Sequence, residues 1–584
     1  MEKNMLKERK MRVIEHILQR PYENLEFDVK NRRALQKALD YSICRVTENV
    51  AKSEDFWLIE KMADYHHLSF SDPNYTTQGE IDFVAIRLCR ALHENVCYNQ
   101  LSQKTQKRLK EFFIKEDYRS VHPSENHCLM FRVSLLLAAQ FYKNEYMENY
   151  KMTAEECYEK DKEYVIQFLN YRAKYGWGEF DSLGYTAEVI FILATLHKYI
   201  DDERLRKLCA MALDIILVDM INDSIAGYYG GAHGRSYPQD IIHRNIAGMS
   251  QIYQYYFGEQ FEPSENYFCT ILYFCKYVPS KIVYDIAKKA FCERESFERK
   301  HLHLMSAWFG EEILWPYIAQ CDQESINKYT YVCKDYALGA INHQDEYPQT
   351  ISPSDRAYAH HQQHEWELTF PESELKIFSH HYSDEKNSYK INNRWTGDYL
   401  CCCGSFYANK NTLIAMYNIE NREASDIINA YVPLKSFESY CLDEKYVFVE
   451  YDKLYIAVYF DNGYTVNDNK EDEFFEKELL SRGWQNAVVL RVKYKKDYVD
   501  FSAFMEEIKA LPVVFDREAR KVIFDNIILE KDRNFENGVE NVYPYPEVYN
   551  SPFTYSIWGS GVIEIKLDKK VVVYDFNTVK IIEK

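Results

Sequence analysis

The chain lacks an apolar run long enough to cross a bilayer, an excess of positive charge, a regular cysteine framework and an apolar centre near its N-terminus. Each absence removes a class of protein. Without a stretch of about 20 apolar residues, no membrane-spanning helix is expected. A net charge of −19, with no basic stripe interleaved with aromatics, argues against nucleic acid and against an anionic membrane surface as partners. An anionic small substrate stays open, because a site needs only local cations. The 15 cysteines, among them the run Cys401-Cys402-Cys403, follow no disulfide spacing and read as packed, reduced thiols. The opening MEKNMLKERKMRVIEHILQ is charged throughout and does not read as a secretion signal. The expectation is a cytoplasmic protein as the chain stands, or a secreted or periplasmic one if a signal was removed.

What is present divides in two. At 584 residues the chain exceeds a single simple core, and two or three domains are expected. From about residue 30 to about 340 the apolar spacing is helical. Val84, Leu88 and Leu92 form one stripe, Leu129, Val133, Leu136 and Leu137 a second, and Tyr185, Val189, Leu193 and Leu196 a third. Breaks at Pro73, Pro123, Gly176-Trp177-Gly178, Gly227 to Gly234 and Pro263 cut these stripes into recurring hairpins. Each hairpin must bury its apolar face on the next, so the array either stacks as an open solenoid or closes into a toroid.

After about residue 345 short alternating runs take over. Examples are Tyr446 to Val449, Leu454 to Phe460, Ala487 to Val492, Val562 to Leu567 and Val571 to Phe576, interrupted by a helix near Phe501 to Leu511. These predict an antiparallel β region, a sandwich or stacked sheets. The division is therefore a helical domain over residues 1–345 and a β domain over 346–584.

Chemistry-bearing residues gather where helices begin. Ser124-Glu125-Asn126-His127 opens one helix, with Ser124 as a natural N-cap. Trp177-Gly178-Glu179-Phe180-Asp181-Ser182-Leu183-Gly184-Tyr185 leads into another. The glycine-framed loop Gly230-Gly231-Ala232-His233-Gly234-Arg235-Ser236-Tyr237-Pro238 holds an imidazole, a guanidinium and a phenol. Asp240 and His243-Arg244-Asn245 follow within the next turns. Helix ends from successive hairpins of a closed ring converge on one face, so these four clusters are expected to line one cleft. Taken singly, each is as well explained by capping or local polar pairing.

The SENH run before a long helix, the EFDSxxY element and GGxHGRxY ahead of a β-rich half resemble the heparinase II/III-like and chondroitin-lyase-like polysaccharide lyases. The resemblance implies an α+β multidomain fold, an N-terminal (α/α) toroid followed by a C-terminal antiparallel β-sandwich. It also implies β-elimination from a uronic-acid-containing polysaccharide or oligosaccharide, with no cofactor required. That chemistry needs the sugar carboxylate neutralised and the proton on the adjacent carbon removed. By the resemblance, Asn126 and Arg235 hold the carboxylate, His233 is base or carboxylate partner, and Tyr237 or Tyr185 is the general acid or base. His127, Glu179, Trp177, His243 and Arg244 would bind substrate.

Two further readings stand beside it. A glycoside hydrolase would draw two acids from Glu179, Asp181 and Asp240, and a glycan-binding protein would use the same cleft without reacting. In the β half, Arg394-Trp395 offers a cation beside a sugar platform. His360 and His364 have spacing compatible with a structural zinc, or a calcium could be held there; a polar loop lined with histidines is the plainer reading. The aromatic content, 16% with 50 tyrosines, suits stacking on sugars as well as packing.

Overall fold

The computed structural model describes residues 2–19, 32–65, 81–118, 124–259, 261–263, 268–302, 325–344, 363–372, 374–381, 393–395, 404–418, 425–531 and 533–584. Among the described residues fourteen α-helices, with two short strand pairs between them, precede the large sheets: α1 (Glu2–Gln19), α2 (Arg32–Thr47), α3 (Ser53–Ala63), α4 (Ile81–His93), α5 (Asn95–Gln100), α6 (Gln103–Lys115), α7 (Glu125–Phe141), α8 (Ala154–Tyr175), α9 (Tyr185–Tyr199), α10 (Glu203–Asp223), α11 (Pro238–Ile242), α12 (Gly248–Tyr256), α13 (Phe268–Phe274) and α14 (Lys281–Lys289). The stripes read from the sequence are their inner faces. Val84, Leu88 and Leu92 of α4 and Leu129, Val133, Leu136 and Leu137 of α7 are fully buried in one core with Leu193 and Leu196 of α9. Successive helices pack as antiparallel neighbours, α7 on α8 and α9 on α10. The first helix, α1, lies against α2 and α13, so the two ends of the helical array touch. No described helix is long and apolar enough to cross a membrane.

The β region is antiparallel and layered. Thirteen strands form the largest sheet among the described residues. At its centre run β1 (Arg294–His301), β2 (Ser325–Val332), β3 (Ala337–Gln344), β4 (Trp366–Thr369) and β5 (Lys376–His381) in spatial order. A six-stranded sheet, which includes Thr412–Asn418, Leu454–Phe460 and Gln485–Tyr494, packs across it through Leu338, Trp366, Leu368, Ile377, Leu413, Ile456 and Leu490. A five-stranded sheet over 513–540 covers the outer face of the second through Val522, Phe524, Ile527 and Leu529. The helix near Phe501 is α15 (Phe501–Ala510), capped by Asp500.

The change from helix to strand comes at Arg294, about fifty residues ahead of the boundary expected near 345. The reason is visible in β2, which is buried at all eight positions. One face lies on the helices and the other on the second sheet, so the apolar–polar alternation of a half-exposed strand is missing. The charged residues Glu298, Lys300 and Lys328, buried in β1 and β2, hide the strands further. The C-terminal strands Val562–Leu567 and Lys570–Asp575 send Ile563, Ile565, Val572 and Tyr574 into the helical core, which ties the two halves together.

Candidate functional site

Three of the four predicted clusters meet. Ser124 caps α7, its Oγ accepting the His127 N–H, and so sets Asn126 in the first turn. The Asn126 amide donates to Ser124 Oγ at 3.0 Å and to Glu179 Oε2 at 2.7 Å. The other oxygen of Glu179 takes the Arg235 guanidinium. That guanidinium lies over the Tyr185 ring, 3.5 Å from its centroid. Tyr185 in turn meets Tyr237, ring centroids 5.8 Å apart, with the two phenols hydrogen-bonded. The series runs from the fully buried Asn126 to the half-exposed tyrosines, so it opens outward at its phenolic end.

The loop's backbone makes this arrangement. Gly234 N–H donates to Phe180 O at 2.7 Å, and a Cβ at Gly234 would stand 2.7 Å from the Phe180 ring, so only glycine allows the approach. Arg235 has φ +41, a left-handed backbone uncommon outside glycine. Its carbonyl is held by Ser182 Oγ at 3.0 Å and its side chain by Glu179, which together compensate the strained conformation. Burial lowers the Arg235 pKa, but Glu179 outweighs it and fixes the positive charge. Burial raises the Tyr185 pKa well above that of a free phenol, with Arg235 opposing, so Tyr185 keeps its proton near neutrality.

His233 faces a different group. It is fully buried, and its Nδ1–H donates to Asp181 O at 2.8 Å, which leaves Nε2 as a bare acceptor with no partner. Its ring stacks on His364 at 5.7 Å, and the two backbones bridge as an antiparallel pair. His364 Nε2–H donates to Glu367 at 2.9 Å, and His364 Nδ1 accepts from His380 at 2.7 Å. Glu367 also binds both ends of the Arg244 guanidinium. Burial raises the Glu367 carboxyl, but Arg244 and His364 overcome that and keep it ionised. Burial likewise holds His233 and His380 neutral.

A third group lies beneath. Lys328 bonds Asp181, and it reaches Asp223 at 2.5 Å and Glu298 at 3.3 Å. Lys300 bonds Asp219 at 2.7 Å and Glu298 at 2.9 Å. All six are buried. Burial pushes Asp181 up, but the two lysines reverse this and hold it as a carboxylate, whereas burial wins at Asp223, raised to about 6. Asp181, Asp223 and Glu298 are the one described group of acids close enough together to hold a metal, and the Lys328 ammonium already binds all three.

Several expected substrate contacts sit elsewhere. Trp395 is fully buried among Ile241, Ile242, Phe378, Tyr431 and Phe474, so it is core and not a sugar platform. Arg394 beside it is spent on Asp472 and Glu478. Trp395→Phe should cost about 1–2 kcal/mol in a calorimetric melt through the small cavity it leaves, with glycan affinity unchanged. Arg244 is a buried structural cation, and His243 stands on the surface 3.9 Å from Glu374. His127 pairs with Asp82 at 2.6 Å, and Trp177 packs on Phe168. His364 has both ring nitrogens in hydrogen bonds, so the zinc expected of it finds no free lone pair; His360 lies outside the described residues. Sequence reading missed Glu367, Lys300 and Lys328. The available signal was charge placed inside otherwise apolar strands, as in Ser325-Ile326-Asn327-Lys328-Tyr329.

No family model matches the chain, and no curated protein sequence matches it. Among solved structures, a heparan sulfate lyase HepC mutant from Pedobacter heparinus is similar at 10% identity and a TM-score of 0.38, over 92% of this chain and 89% of that one.

Proposed function

We propose that the protein cleaves a uronic-acid-containing polysaccharide or oligosaccharide by β-elimination. The observation that carries this reading is the continuous series Asn126–Glu179–Arg235–Tyr185–Tyr237, a fixed cation under a pair of hydrogen-bonded phenols at the exposed end. Elimination needs a cation for the sugar carboxylate, a base for the proton next to it, and an acid for the leaving oxygen.

The residues divide those tasks as follows. Arg235, buried beneath the Tyr185 ring, supplies the positive charge that draws the substrate carboxylate to the phenols, and its buried Nε makes no direct bond to the sugar. Both Asn126 amide hydrogens are committed, so Asn126 holds Glu179 in place and does not itself grip the sugar. Tyr237, reacting as its phenolate, takes the proton from C5. The released electron pair forms the C4–C5 double bond and breaks the bond from C4 to the glycosidic oxygen. Tyr185, which burial keeps protonated, gives its proton to that oxygen. The proton on Tyr237 then returns to Tyr185 through their shared hydrogen bond, which restores the starting state. Fully buried, His233 supports the loop from behind and is not the base.

A hydrolase is less well supported, because two of its three acids are already engaged. Glu179 is bound by Arg235 and Asn126, and Asp181 by Lys328. Hydrolysis needs two available carboxyls about 5 Å or about 6–9 Å apart.

A panel of uronate glycans (hyaluronan, chondroitin, heparan, alginate and polygalacturonate) tests the proposal. The expected result is new near-ultraviolet absorbance from an unsaturated uronate with one of them, absent in the Tyr185→Phe/Tyr237→Phe double variant. New reducing ends without that absorbance would establish hydrolysis instead. Binding with neither signal would leave a glycan-binding protein.

A further inference from the structure

The outermost sheet of the β region has a second face that the core does not use. Its strands are Val513–Asp516, Lys521–Phe524, Ile527–Glu530, Asn534–Glu536 and Val539–Glu540. Side chains alternate between the two faces of a strand, and directly paired residues share a face. Val522, Phe524, Ile527 and Leu529 point inward and are buried. The alternate positions carry Val514, Ile523, Ile528 and Phe535. These four lie in register across the sheet, Val514 paired with Ile523, Ile523 with Ile528 and Ile528 with Phe535. None of the four belongs to a core cluster among the described residues, and Val514 is 48% exposed. A continuous row of large apolar side chains on the solvent side of a sheet marks a surface that another molecule covers.

A charged row runs beside the apolar one on the same face. It holds Asp516, Lys521, Glu530 and Arg533, again opposite one another across the strands. Its signs alternate: minus, plus, minus, plus. Lys521 lies 3.4 Å from Glu530, and Arg533 binds Glu540 at 2.6 Å and lies over the Phe535 ring. The side chains of Lys521, Glu530 and Arg533 are still 30–54% exposed, so pairing within the sheet leaves them open to a second set of charges.

We infer that this face docks a second copy of the chain, sheet on sheet, as a symmetric dimer. An isologous interface must be complementary to itself, and a row of alternating charges is so when turned end for end. A two-fold axis parallel to the strands, between Ile523 and Ile528, lays Val514 over Phe535 of the partner subunit and Ile523 over Ile528 of the partner subunit. The same axis sets Asp516 against Arg533 of the partner subunit and Lys521 against Glu530 of the partner subunit. A slip of one strand brings like charges face to face, so the charged row fixes the register that the apolar row alone would leave loose. The face measures about 24 by 14 Å, five strands by four residues, which suits a weak dimer that forms with concentration and not an obligate one. It takes no part in the steps assigned to the phenols, and the dimer does not depend on the lyase reading.

The test is sedimentation velocity of the full chain at low salt, over protein concentrations from about 1 to about 200 μM. Wild type should pass from monomer to dimer within that range. Ile523→Ser with Ile528→Ser removes apolar contact from the outward face only. It should raise the dissociation constant by about tenfold or more, with the melting temperature close to that of wild type. Lys521→Glu and Glu530→Lys each set like charges across the axis, so each alone should weaken the dimer by about tenfold. An equimolar mixture of these two variants should dimerise as wild type does, because each supplies the charge the other lacks. A role confined to pairing within one sheet would not respond to mixing. A monomer throughout the range overturns the proposal. A dimer indifferent to the serine substitutions, or a mixture that restores nothing, overturns it equally.

Discussion

Lys328→Met is expected to lower the stability of the protein by about 3–5 kcal/mol, the cost of removing one partner from a buried ionic group. Lys328 is fully buried and bonds Asp181, Asp223 and Glu298 at once. Methionine fills the volume but leaves Asp181 and Asp223 without their nearest counter-charge, and Lys300 is already shared between Asp219 and Glu298. The defect should depend on pH. Without Lys328 the folded-state pKa of these carboxyls rises, so their contribution is present at low pH and lost as the pH climbs above the ordinary carboxylate range. Calorimetric melts should therefore show a larger loss at about pH 8 than at about pH 5. Adding Asp181→Asn and Asp223→Asn to Lys328→Met should recover part of the loss, because it removes the stranded charges. A deficit below about 1 kcal/mol, or one independent of pH, would show that Lys328 is not the counter-charge these buried acids depend on.

The largest effect on activity should come from the phenols. Tyr237→Phe and Tyr185→Phe are each expected to lower kcat for elimination by about 10²–10⁴-fold, the usual worth of a positioned acid or base. Substrate KM should change little, because each ring keeps its place and only a hydroxyl is lost. The two variants should differ in one respect. A uronate whose leaving oxygen on C4 is already acidic, such as a 4-O-nitrophenyl ether, needs no protonation, so it should restore activity to Tyr185→Phe and not to Tyr237→Phe. If either single variant kept activity within about tenfold of wild type, the role given to that tyrosine would be wrong. Rescue of both by the activated substrate would mean that proton abstraction belongs to another group.

Much of the architecture was legible because amphipathic period is a local property. The stripes over Val84–Leu92 and Leu129–Leu137 became buried faces of α4 and α7, and Leu454–Phe460 became a strand of that length. Three helix-start clusters could be expected to converge because hairpins place their ends on one side, and Asn126, Glu179, Arg235, Tyr185 and Tyr237 are indeed joined. The early strands Arg294–His301 and Ser325–Val332 were not legible, since burial on both faces erases alternation. Trp395 read as a surface platform because nothing within its own segment shows that Phe378, Tyr431 and Phe474 would close over it.

The order of residues alone determined the two-part build and which loop would carry reactive side chains, because period, caps and glycine spacing act over a few positions of chain. Only the folded molecule decided how those side chains divide. It turned Tyr185 and Tyr237 toward the opening, sent His233 back against His364, and buried Lys328 among three acids from distant segments. Charge and desolvation depend on neighbours in space, and strands β2 to β5 contribute those neighbours from beyond position 324, far from the loop they surround in sequence.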